Sequence, residues 1–292
     1  FVCENNGWSE MTPIAWTTRG EHLARRGQGL GIESHVVDGG DPLVVAEAVA
    51  EAAATCRAGN GPVLLEFKTA RLSGHYNKDI QHYRPEADQE AARDQDPLAR
   101  LRALEGISDE EASRIDTEVA AEIAAIADKV RALPAPDPAD VLDHLYAPDL
   151  PIPTGGEAVP KEMPYFRAVN EALKNAMARR DEVVVYGEDV GYAGGIFGVT
   201  RGLQKEFGEE RVFDTPIAEA AILGSAIGAA MNGLRPIVEI MWADFVFVAL
   251  DQIVNQASNV RYINRSALNA PLVIRMQQGV TPGSCAQHSQ SI

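Results

Sequence analysis

A run rich in alanine and glycine, Ala220–Gly233, constrains the fold more than any other stretch of this chain. It predicts a helix with almost no side-chain bulk, which another backbone can approach closely. Pro216 can occupy the first helical turn, where a missing N–H costs nothing. Glu219 then falls in that first turn, where the helix dipole favours a carboxylate. Such an acid either caps the helix or takes part in chemistry, and composition alone leaves both interpretations open.

Length and composition predict about two globular domains with their own cores. The 292 residues are 46% hydrophobic and 23% charged, and the formal net charge of −16 argues against nucleic acid as a partner. One bound diphosphate needs only a local site and is not excluded. The most apolar run, Ile217–Met231, is too short to cross a membrane and contains Glu219, so we expect no membrane association.

The three cysteines, Cys3, Cys56 and Cys285, are scattered and form no Cys-x-x-Cys motif. This pattern gives neither a disulfide framework nor a zinc site, and it indicates a reducing compartment, for which we expect the cytoplasm. The chain opens on a strand-like pattern without an initiator Met and stops directly after a motif. We therefore expect a segment of a longer protein.

The first half of the chain has the pattern of a parallel sheet with crossover helices. Asp41 as N-cap and Pro42 at the first helical position begin a helix that ends near Arg57. A buried strand is predicted at 63–67, and Phe1–Glu4 is expected to be the end of another buried strand.

Two loops in this half carry polar residues. Asn5-Asn6-Gly7 has the composition of a tight turn, and a tight turn after a strand is a sufficient explanation for it. The loop after 63–67 contains Arg71 and His75, at the carboxyl end of a parallel strand, where ligands bind in such folds. A lone loop histidine can equally be just solvated.

The middle of the chain indicates a long helix and then a linker. Ser108-Asp109-Glu110-Glu111 forms a capping box, and the helix after it carries an apolar stripe between 115 and 133. Val141–Tyr146 suits one short helix. The proline and glycine content of 141–163 is typical of a linker.

The second half again alternates strands and helices. Glu188 follows the first of its strands and is either a buried structural acid or a cofactor contact. The glycine-rich loop after it fits no phosphate-binding fingerprint. Phe245 and Phe247 are expected in the core. The predicted strands are Val183–Tyr186, Pro236–Trp242 and Pro271–Arg275, and the predicted helices are the stripe 166–177, the run after Glu219 and Leu250–Ile263.

Six motifs of this half occur in a distinctive order. They are Tyr186-Gly187-Glu188-Asp189-Val190-Gly191, Thr200-Arg201-Gly202-Leu203, 211–219, Gly233-Leu234-Arg235-Pro236, Asp251-Gln252-Ile253-Val254-Asn255 and Gln287-His288-Ser289-Gln290. The series closely resembles the beta subunit of the thiamine-diphosphate-dependent 2-oxo acid dehydrogenases, the decarboxylating component of the pyruvate and branched-chain complexes. The resemblance covers roughly residues 164–292.

The first half carries a weaker resemblance to the alpha subunit of the same family. Glu4-Asn5-Asn6-Gly7-Trp8 resembles the close of that subunit's thiamine-diphosphate motif, whose Gly-Asp-Gly opening is absent here. The residues that match its active-site loop are Arg71, His75, Asp79, Tyr83 and Arg84. Tyr76 stands where that loop has a serine, so phosphorylation at this position is not supported.

The resemblance implies an α/β fold with two thiamine-diphosphate-binding-type domains, each a mainly parallel sheet flanked by helices and both truncated. Residues 1–140 would be the C-terminal part of a diphosphate-binding domain, 141–163 a linker, and 164–292 a transketolase-type pyrimidine-binding domain. An alpha and a beta subunit would then be fused in one chain.

The resemblance also implies cofactors and site residues. The cofactors would be thiamine diphosphate and Mg²⁺. Glu219, His288 and His75 would be catalytic, with Glu219 bound to the aminopyrimidine ring. The cofactor-binding residues would be Asn6, Trp8, Glu188, Phe245 and Arg71. Asn6, by its side chain, and Trp8, by its carbonyl, would bind the metal, without the aspartate of the missing motif.

The implied reaction is oxidative decarboxylation of a 2-oxo acid, with acyl transfer to the lipoyl domain of an acyltransferase partner and a homo-oligomer as the working form. Two alternatives stay open. A transketolase-like carboligase would use the same cofactor without a lipoyl partner. A catalytically incomplete fragment or interaction module would not bind the cofactor.

Overall fold

The computed structural model describes residues 1–103, 106–148, 161–280 and 282–292. The chain divides into two compact units, Phe1–Pro134 and Ala135–Ile292. Much of the predicted linker, namely 149–160, lies outside the described residues.

A three-stranded parallel sheet in the order β1-β5-β4 organises the first unit. The predicted strand–helix–strand succession is confirmed, because α3 connects the parallel strands β4 and β5. A short antiparallel pair, β2 and β3, follows β1. The strands are β1 (Val2–Asn5), β2 (Trp8–Ser9), β3 (Thr12–Pro13), β4 (Glu33–Asp38) and β5 (Val63–Lys68). The helices are α1 (Ile14–Thr17), α2 (Ala24–Gln28), α3 (Pro42–Arg57), α4 (Glu86–Arg93), α5 (Pro97–Arg102) and α6 (Asp109–Arg131).

Helix α3 begins as the sequence predicts. The Asp41 carboxylate accepts a hydrogen bond of 2.9 Å from the N–H of Leu43, and Pro42 is the first helical residue. The core beneath it is small, with Val63, Leu65 and Phe67 of β5 packed against the apolar side of the helix.

Strand β1 is not the buried strand expected from its sequence. It is an edge strand with one neighbour, β5, and only Asn5 among its residues is buried. Phe1 is 73% exposed. An edge position explains the difference, since one side of such a strand has no sheet neighbour.

Helix α6 has the predicted cap and the predicted apolar stripe. The Ser108 hydroxyl accepts a hydrogen bond from the N–H of Glu111 at 3.2 Å. The stripe faces solvent in this chain, with Ile123 61% exposed.

A four-stranded, entirely parallel sheet in the order β7-β6-β8-β9 organises the second unit. Every residue of β6 is buried, as its unbroken apolar sequence predicts. The strands are β6 (Val183–Gly187), β7 (Val212–Asp214), β8 (Arg235–Ile240) and β9 (Val273–Met276). The α-helices are α7 (Tyr165–Arg179), α8 (Leu203–Phe207), α9 (Glu219–Met231) and α10 (Val260–Ile263). Three 3₁₀ helices cover Pro138–Leu142, Ala243–Ala249 and Ala286–His288, and a π-helix covers Gln252–Ala257.

Helices cover both faces of this second sheet. Ile222 and Leu223 of α9 pack with Tyr186 on one face, and Leu173 and Met177 of α7 pack on the other. The fold class is therefore confirmed as α/β, with parallel sheets flanked by helices. The loops at the carboxyl ends of the strands are left to form a site at one edge, as in other open α/β sheets.

Helix α9 forms from the predicted small-residue run but begins later than predicted. Glu219 is its first residue, and Pro216 lies ahead of the helix, outside any helix or strand. Gly224 allows a close approach, because a Cβ there would lie 3.1 Å from Oε1 of Gln252. No helix in the described parts of the chain is both long and apolar enough to cross a membrane.

Three local predictions were wrong. The predicted helix Leu250–Ile263 is interrupted by the π-helical segment and ends in the short α10. Asn259 donates its side-chain amide to the carbonyl of Asn255 at 3.2 Å, and such side-chain bonds compete with the regular helical pattern. The short helix expected at 141–146 is a 3₁₀ turn at Pro138–Leu142. Phe247 is 56% exposed rather than in the core.

Candidate functional site

The carboxyl ends of the four parallel strands of the second unit bring its candidate residues to one edge. Glu188 directly follows β6, Thr215 directly follows β7, and Trp242 and Phe245 come shortly after β8. Parallel strands end at the same edge, so residues distant in sequence converge there.

Glu219 is buried at this edge and does not cap its helix. It is the first residue of α9 and only 7% exposed. The helix has no side-chain cap, and within the described residues the Glu219 carboxylate makes no hydrogen bond. The capping interpretation is therefore wrong. A buried carboxylate without a protein partner is uncommon, because desolvation of the charge is costly.

Glu188 is a second buried acid beside Glu219. It is 6% exposed, and its Oε1 atom has no hydrogen-bond partner among the described residues. Burial raises the pKa of the Glu188 carboxyl, and the nearby negative charge of Glu219 raises it further. The two acids therefore interact electrostatically at this edge.

A third buried acid, Glu239 of β8, is neutralised. Arg275 of β9 donates a hydrogen bond to it, and the two side chains form an ion pair. Burial raises the pKa of Glu239, whereas the Arg275 charge lowers it. Gly187, at the end of β6, has φ of +155°, and a Cβ there would lie 2.5 Å from the Glu239 carbonyl oxygen. The strands therefore approach closely just before Glu188.

His288 lies among aromatic rings at the same edge. Its ring centroid is 5.4 Å from that of Phe245 and 5.8 Å from that of Trp242, and both contacts are edge-to-face. Its Nδ1 atom is 3.4 Å from Sγ of Cys285. Phe245 is partly buried against the cluster that contains Tyr186 and residues of α9. This arrangement places an imidazole and an apolar ring at the carboxyl ends of the strands.

Several residues of this edge were not predicted from the sequence. Oγ1 of Thr215 and Oδ2 of Asp244 are buried without a hydrogen-bond partner among the described residues. The other oxygen of Asp244 accepts a hydrogen bond of 3.1 Å from the N–H of Gln290, which ties the His288 segment to the turn after β8. Trp242 could have been found, since it is the last residue of the predicted strand Pro236–Trp242, whereas Thr215 follows a strand, β7, that was not predicted.

The predicted turn at Asn5-Asn6-Gly7 is present in the first unit. Gly7 has φ of +79°, and Oδ1 of Asn6 accepts a hydrogen bond of 3.0 Å from the N–H of Trp8. Asn5 donates its side-chain amide to the fully buried Glu66 at 2.6 Å. Burial alone would raise the pKa of Glu66, but hydrogen bonds from Asn5 and from the N–H of Ala24 hold it below its usual value.

The loop after β5 forms a hydrogen-bonded cluster with this turn. The Arg71 guanidinium lies 5.6 Å from the ring centroids of both Trp8 and Tyr83, and it donates to the Tyr83 hydroxyl at 2.5 Å. Tyr83 donates to Asp79 at 2.6 Å, which lowers the pKa of Asp79 to about 2. Nε2 of His75 lies 3.5 Å from a carboxylate oxygen of Glu10.

The structure therefore groups the candidate residues by unit. Glu188 and Glu219 interact electrostatically, and Phe245 and His288 are in contact. In the first unit, Arg71 and Trp8 are in contact, Asn6 is bonded to the Trp8 backbone, and His75 lies in the same loop cluster. No group of three or more metal-binding side chains occurs within the described ranges. Asn6 and Trp8 alone offer fewer oxygen ligands than Mg²⁺ takes.

Comparisons with known proteins agree with this division. Residues 1–139 match the family described as dehydrogenase E1 component, and residues 161–292 match the family described as transketolase, pyrimidine binding domain. These boundaries lie near the division of the structure at Pro134 and Ala135.

Similar curated proteins are subunits of two dehydrogenases. The 2-oxoisovalerate dehydrogenase subunit beta of Bacillus subtilis is 48% identical over 130 residues, which is 44% of this chain and 40% of that protein. The pyruvate dehydrogenase E1 component subunit beta of Acholeplasma laidlawii is 46% identical over 125 residues, 43% of this chain and 38% of that protein. A mitochondrial subunit of the same name from Drosophila melanogaster is 45% identical over 130 residues, 44% of this chain and 36% of that protein.

This chain spans about two fifths of the length of these relatives. The two family matches and the beta-subunit relatives nevertheless agree with each other and with the parallel sheets of the structure. Residues 1–139 thus match the dehydrogenase E1 type and residues 161–292 the transketolase pyrimidine-binding type, a combination that supports similarity to an E1 component of the thiamine-diphosphate-dependent 2-oxo acid dehydrogenases.

Proposed function

We propose that this chain takes part in the oxidative decarboxylation of a 2-oxo acid and in transfer of the resulting acyl group to a lipoyl-bearing partner. The observation that carries the proposal is the buried Glu219 carboxylate, which lacks a hydrogen bond within the described residues at the carboxyl edge of a parallel sheet. The names of the relatives, pyruvate and 2-oxoisovalerate dehydrogenase subunits, support a 2-oxo acid as substrate.

Glu219 would bind a ring nitrogen of the cofactor's aminopyrimidine and hold a proton there. A carboxyl in a dry site suits proton sharing, because its ionised form has lost its hydration. Glu188 supports this role, since it is a second buried acid whose pKa is raised by burial and by the nearby charge of Glu219. When bound, thiamine diphosphate supplies an electron sink for the decarboxylation.

Phe245 and His288 would act beside that ring. Phe245 offers an apolar, partly buried surface on which the pyrimidine can pack. His288 has one nitrogen next to Cys285 and makes no hydrogen bond through Nε2 within the described chain, so Nε2 is available to donate to or accept from a substrate oxygen.

The first unit would contribute His75 and Arg71. His75 is an exposed imidazole on the loop after β5 and would serve as a second acid–base group. Arg71, held by Tyr83 and by aromatic contacts, would bind an anionic group of the cofactor or substrate. Asn6 and the Trp8 carbonyl would supply two oxygen ligands to Mg²⁺, but this set is incomplete, and no chemical step is assigned to the metal.

We also propose the remaining organisation from the resemblance and the family matches. The chain joins an alpha-like diphosphate-binding segment, 1–140, to a beta-like pyrimidine-binding domain, 164–292, through the linker 141–163. The working form is a homo-oligomer in which α9 packs closely against another helix. Gly228 supports this, because a Cβ there would meet no atom within 4 Å.

The test is Glu219→Gln in the full-length protein, assayed for 2-oxo acid decarboxylation with an artificial electron acceptor. Loss of a catalytic acid–base group is worth about 10²- to 10⁴-fold in rate, and we expect a loss in this range with an unchanged circular dichroism spectrum. The control is Glu210→Gln, an exposed acid of the same unit.

Near-normal turnover in Glu219→Gln would refute its role. Acylation of a free lipoyl domain, measured separately, distinguishes the dehydrogenase from a carboligase, which would turn over without acylating it. Calorimetry with thiamine diphosphate and Mg²⁺ tests the remaining alternative, because an interaction module should show no binding.

A further inference from the structure

Cys285 holds the ring of His288 from a position that the proposed reaction does not use. Its Sγ atom is 3.4 Å from Nδ1 of His288, and its carbonyl accepts hydrogen bonds from the N–H of His288 at 3.0 Å and from the hydroxyl of Ser289 at 2.9 Å. The side chain and the backbone of one residue thus contact His288 from the same 3₁₀ turn.

Two aromatic rings contact the imidazole of His288. Trp242 and Phe245 approach it edge-to-face, at interplanar angles of 82° and 84°. Within the described residues Nε2 makes no hydrogen bond. The ring therefore has a thiol at Nδ1, aromatic walls beside it and an open Nε2.

A neutral imidazole has one nitrogen that donates and one that accepts, and the partner of the first nitrogen decides the state of the second. A thiol that donates to Nδ1 leaves the proton on Nε2. The open nitrogen would then be an N–H donor, which suits stabilisation of a negatively charged oxygen rather than removal of a proton.

We propose that Cys285 is a positioning residue that holds neutral His288 in the Nε2–H tautomer and points this N–H into the site. The inference deepens the proposed function, because it assigns the direction in which His288 first acts: as a hydrogen-bond donor to a substrate oxygen. Cys285 itself does not touch the reacting groups.

The direct test is ¹⁵N NMR of histidine-labelled full-length protein, with the His288 signals assigned by their loss in His288→Asn. The parent protein should show Nε2–H as the dominant neutral form. In Cys285→Ala the ratio of the two tautomers should fall roughly fivefold, the size that one hydrogen bond supports. Cys285→Ser should restore the parent ratio, since a hydroxyl can also donate to Nδ1.

Ser289→Ala is the matched control. It removes a hydrogen bond to the Cys285 carbonyl without touching the imidazole, so a purely structural role for this turn would change the NMR signals of both variants alike. The proposal predicts an altered tautomer ratio in Cys285→Ala only. An unchanged ratio in Cys285→Ala, a dominant Nδ1–H form in the parent protein, or a serine variant that behaves like alanine would overturn it.

The NMR readout needs neither cofactor nor turnover, so it stands apart from the test of the proposed function. If the tautomer shifts as expected but Glu219→Gln retains full activity, the role of Cys285 survives and the proposed role of Glu219 does not. If Glu219→Gln is inactive and Cys285→Ala leaves the tautomer ratio unchanged, the proposed role of Glu219 survives and that of Cys285 does not.

Discussion

The two units of this protein place their acidic side chains in opposite surroundings. At the sheet edge of the second unit, Glu188 and Glu219 are buried, Oε1 of Glu188 has no partner among the described residues, and the pKa of Glu188 is raised. In the loop cluster of the first unit, Asp79 accepts hydrogen bonds from Tyr83, His75 and Gln81, and its pKa is lowered to about 2.

The difference lies in whether the chain itself supplies the hydrogen bonds that a carboxyl needs. A satisfied carboxylate such as Asp79 stabilises the shape of its loop. Buried carboxyls that have no hydrogen-bond partner among the described residues, such as Glu188 and Glu219, cost stability and are expected where a ligand supplies the missing hydrogen bonds. Three substitutions test this comparison beyond the activity loss expected for Glu219→Gln.

The largest effect on stability is expected from Arg275→Met. This change leaves Glu239 as an uncompensated buried charge, which should lower the free energy of unfolding by about 3–5 kcal/mol. Urea denaturation of the second unit would measure it. Arg180→Met is the control, because its ion pair with Glu182 is exposed and should contribute less than about 1 kcal/mol. If the two variants lost equal amounts of unfolding free energy, the buried ion pair of Glu239 would contribute no more to stability than the exposed pair of Glu182.

Glu188→Gln should change the free energy of unfolding by less than Arg275→Met and in the opposite direction, toward greater stability. The folded-state pKa of Glu188 is raised above its ordinary 4.5, so its ionised form destabilises the fold once the pH rises above that value. The variant should match the parent protein below about pH 4.5 and become more stable as pH rises, by on the order of 1 kcal/mol at neutral pH.

Denaturation of Glu188→Gln at a series of pH values would measure this gain. Glu209→Gln, an exposed acid in the same unit, should show no such pH dependence. A variant that loses stability at neutral pH would mean that Glu188 is a structural acid after all, and the contrast with Asp79 would fail.

The smallest effect on stability is expected from Tyr83→Phe. Removing the hydroxyl takes away the main hydrogen bond to Asp79, so the pKa of Asp79 should rise from about 2 toward its ordinary 3.8. The stability that ionised Asp79 contributes is fully present above pH 3.8 and is lost as the pH falls toward 2. The stability of the variant should therefore change less with pH over this range than that of the parent protein. Carboxyl ¹³C titration measures the shift directly. The exposed Tyr76→Phe should leave the titration of Asp79 unchanged, and a shift of equal size there would argue against the assigned partner.

The sequence predicted the elements whose signals are local. The start of α3 at Asp41 and Pro42, the capping box at Ser108 and the buried strand β6 all depend on residues a few positions apart. The order of the motifs singled out Glu188, Glu219 and His288 as candidates, and their placement near one sheet edge was found only in the structure.

What the sequence did not predict depends on contacts between distant residues. The ion pair of Glu239 with Arg275 joins neighbouring strands that are far apart in the chain. The start of α9 at Glu219 rather than near Pro216 was not predicted either, and the π-helical turn after Asp251 accompanies a side-chain hydrogen bond, from Asn259 to the Asn255 carbonyl, that the apolar pattern does not reveal. Exposure of Phe1 and Phe247 could not be deduced either, because composition favours burial of any phenylalanine.

Gly187 has a practical consequence for the design of variants at this edge of the second unit. A side chain at this edge that is not assigned to the cofactor, such as Trp242, is a reasonable target for a saturation library, because a side chain can change size without moving the main chain. Position 187 is not, since any β-carbon there would collide with the main chain of the adjacent strand, which no repacking of side chains can relieve. Directed evolution would therefore have to leave Gly187 unchanged and vary the side chains of neighbouring positions.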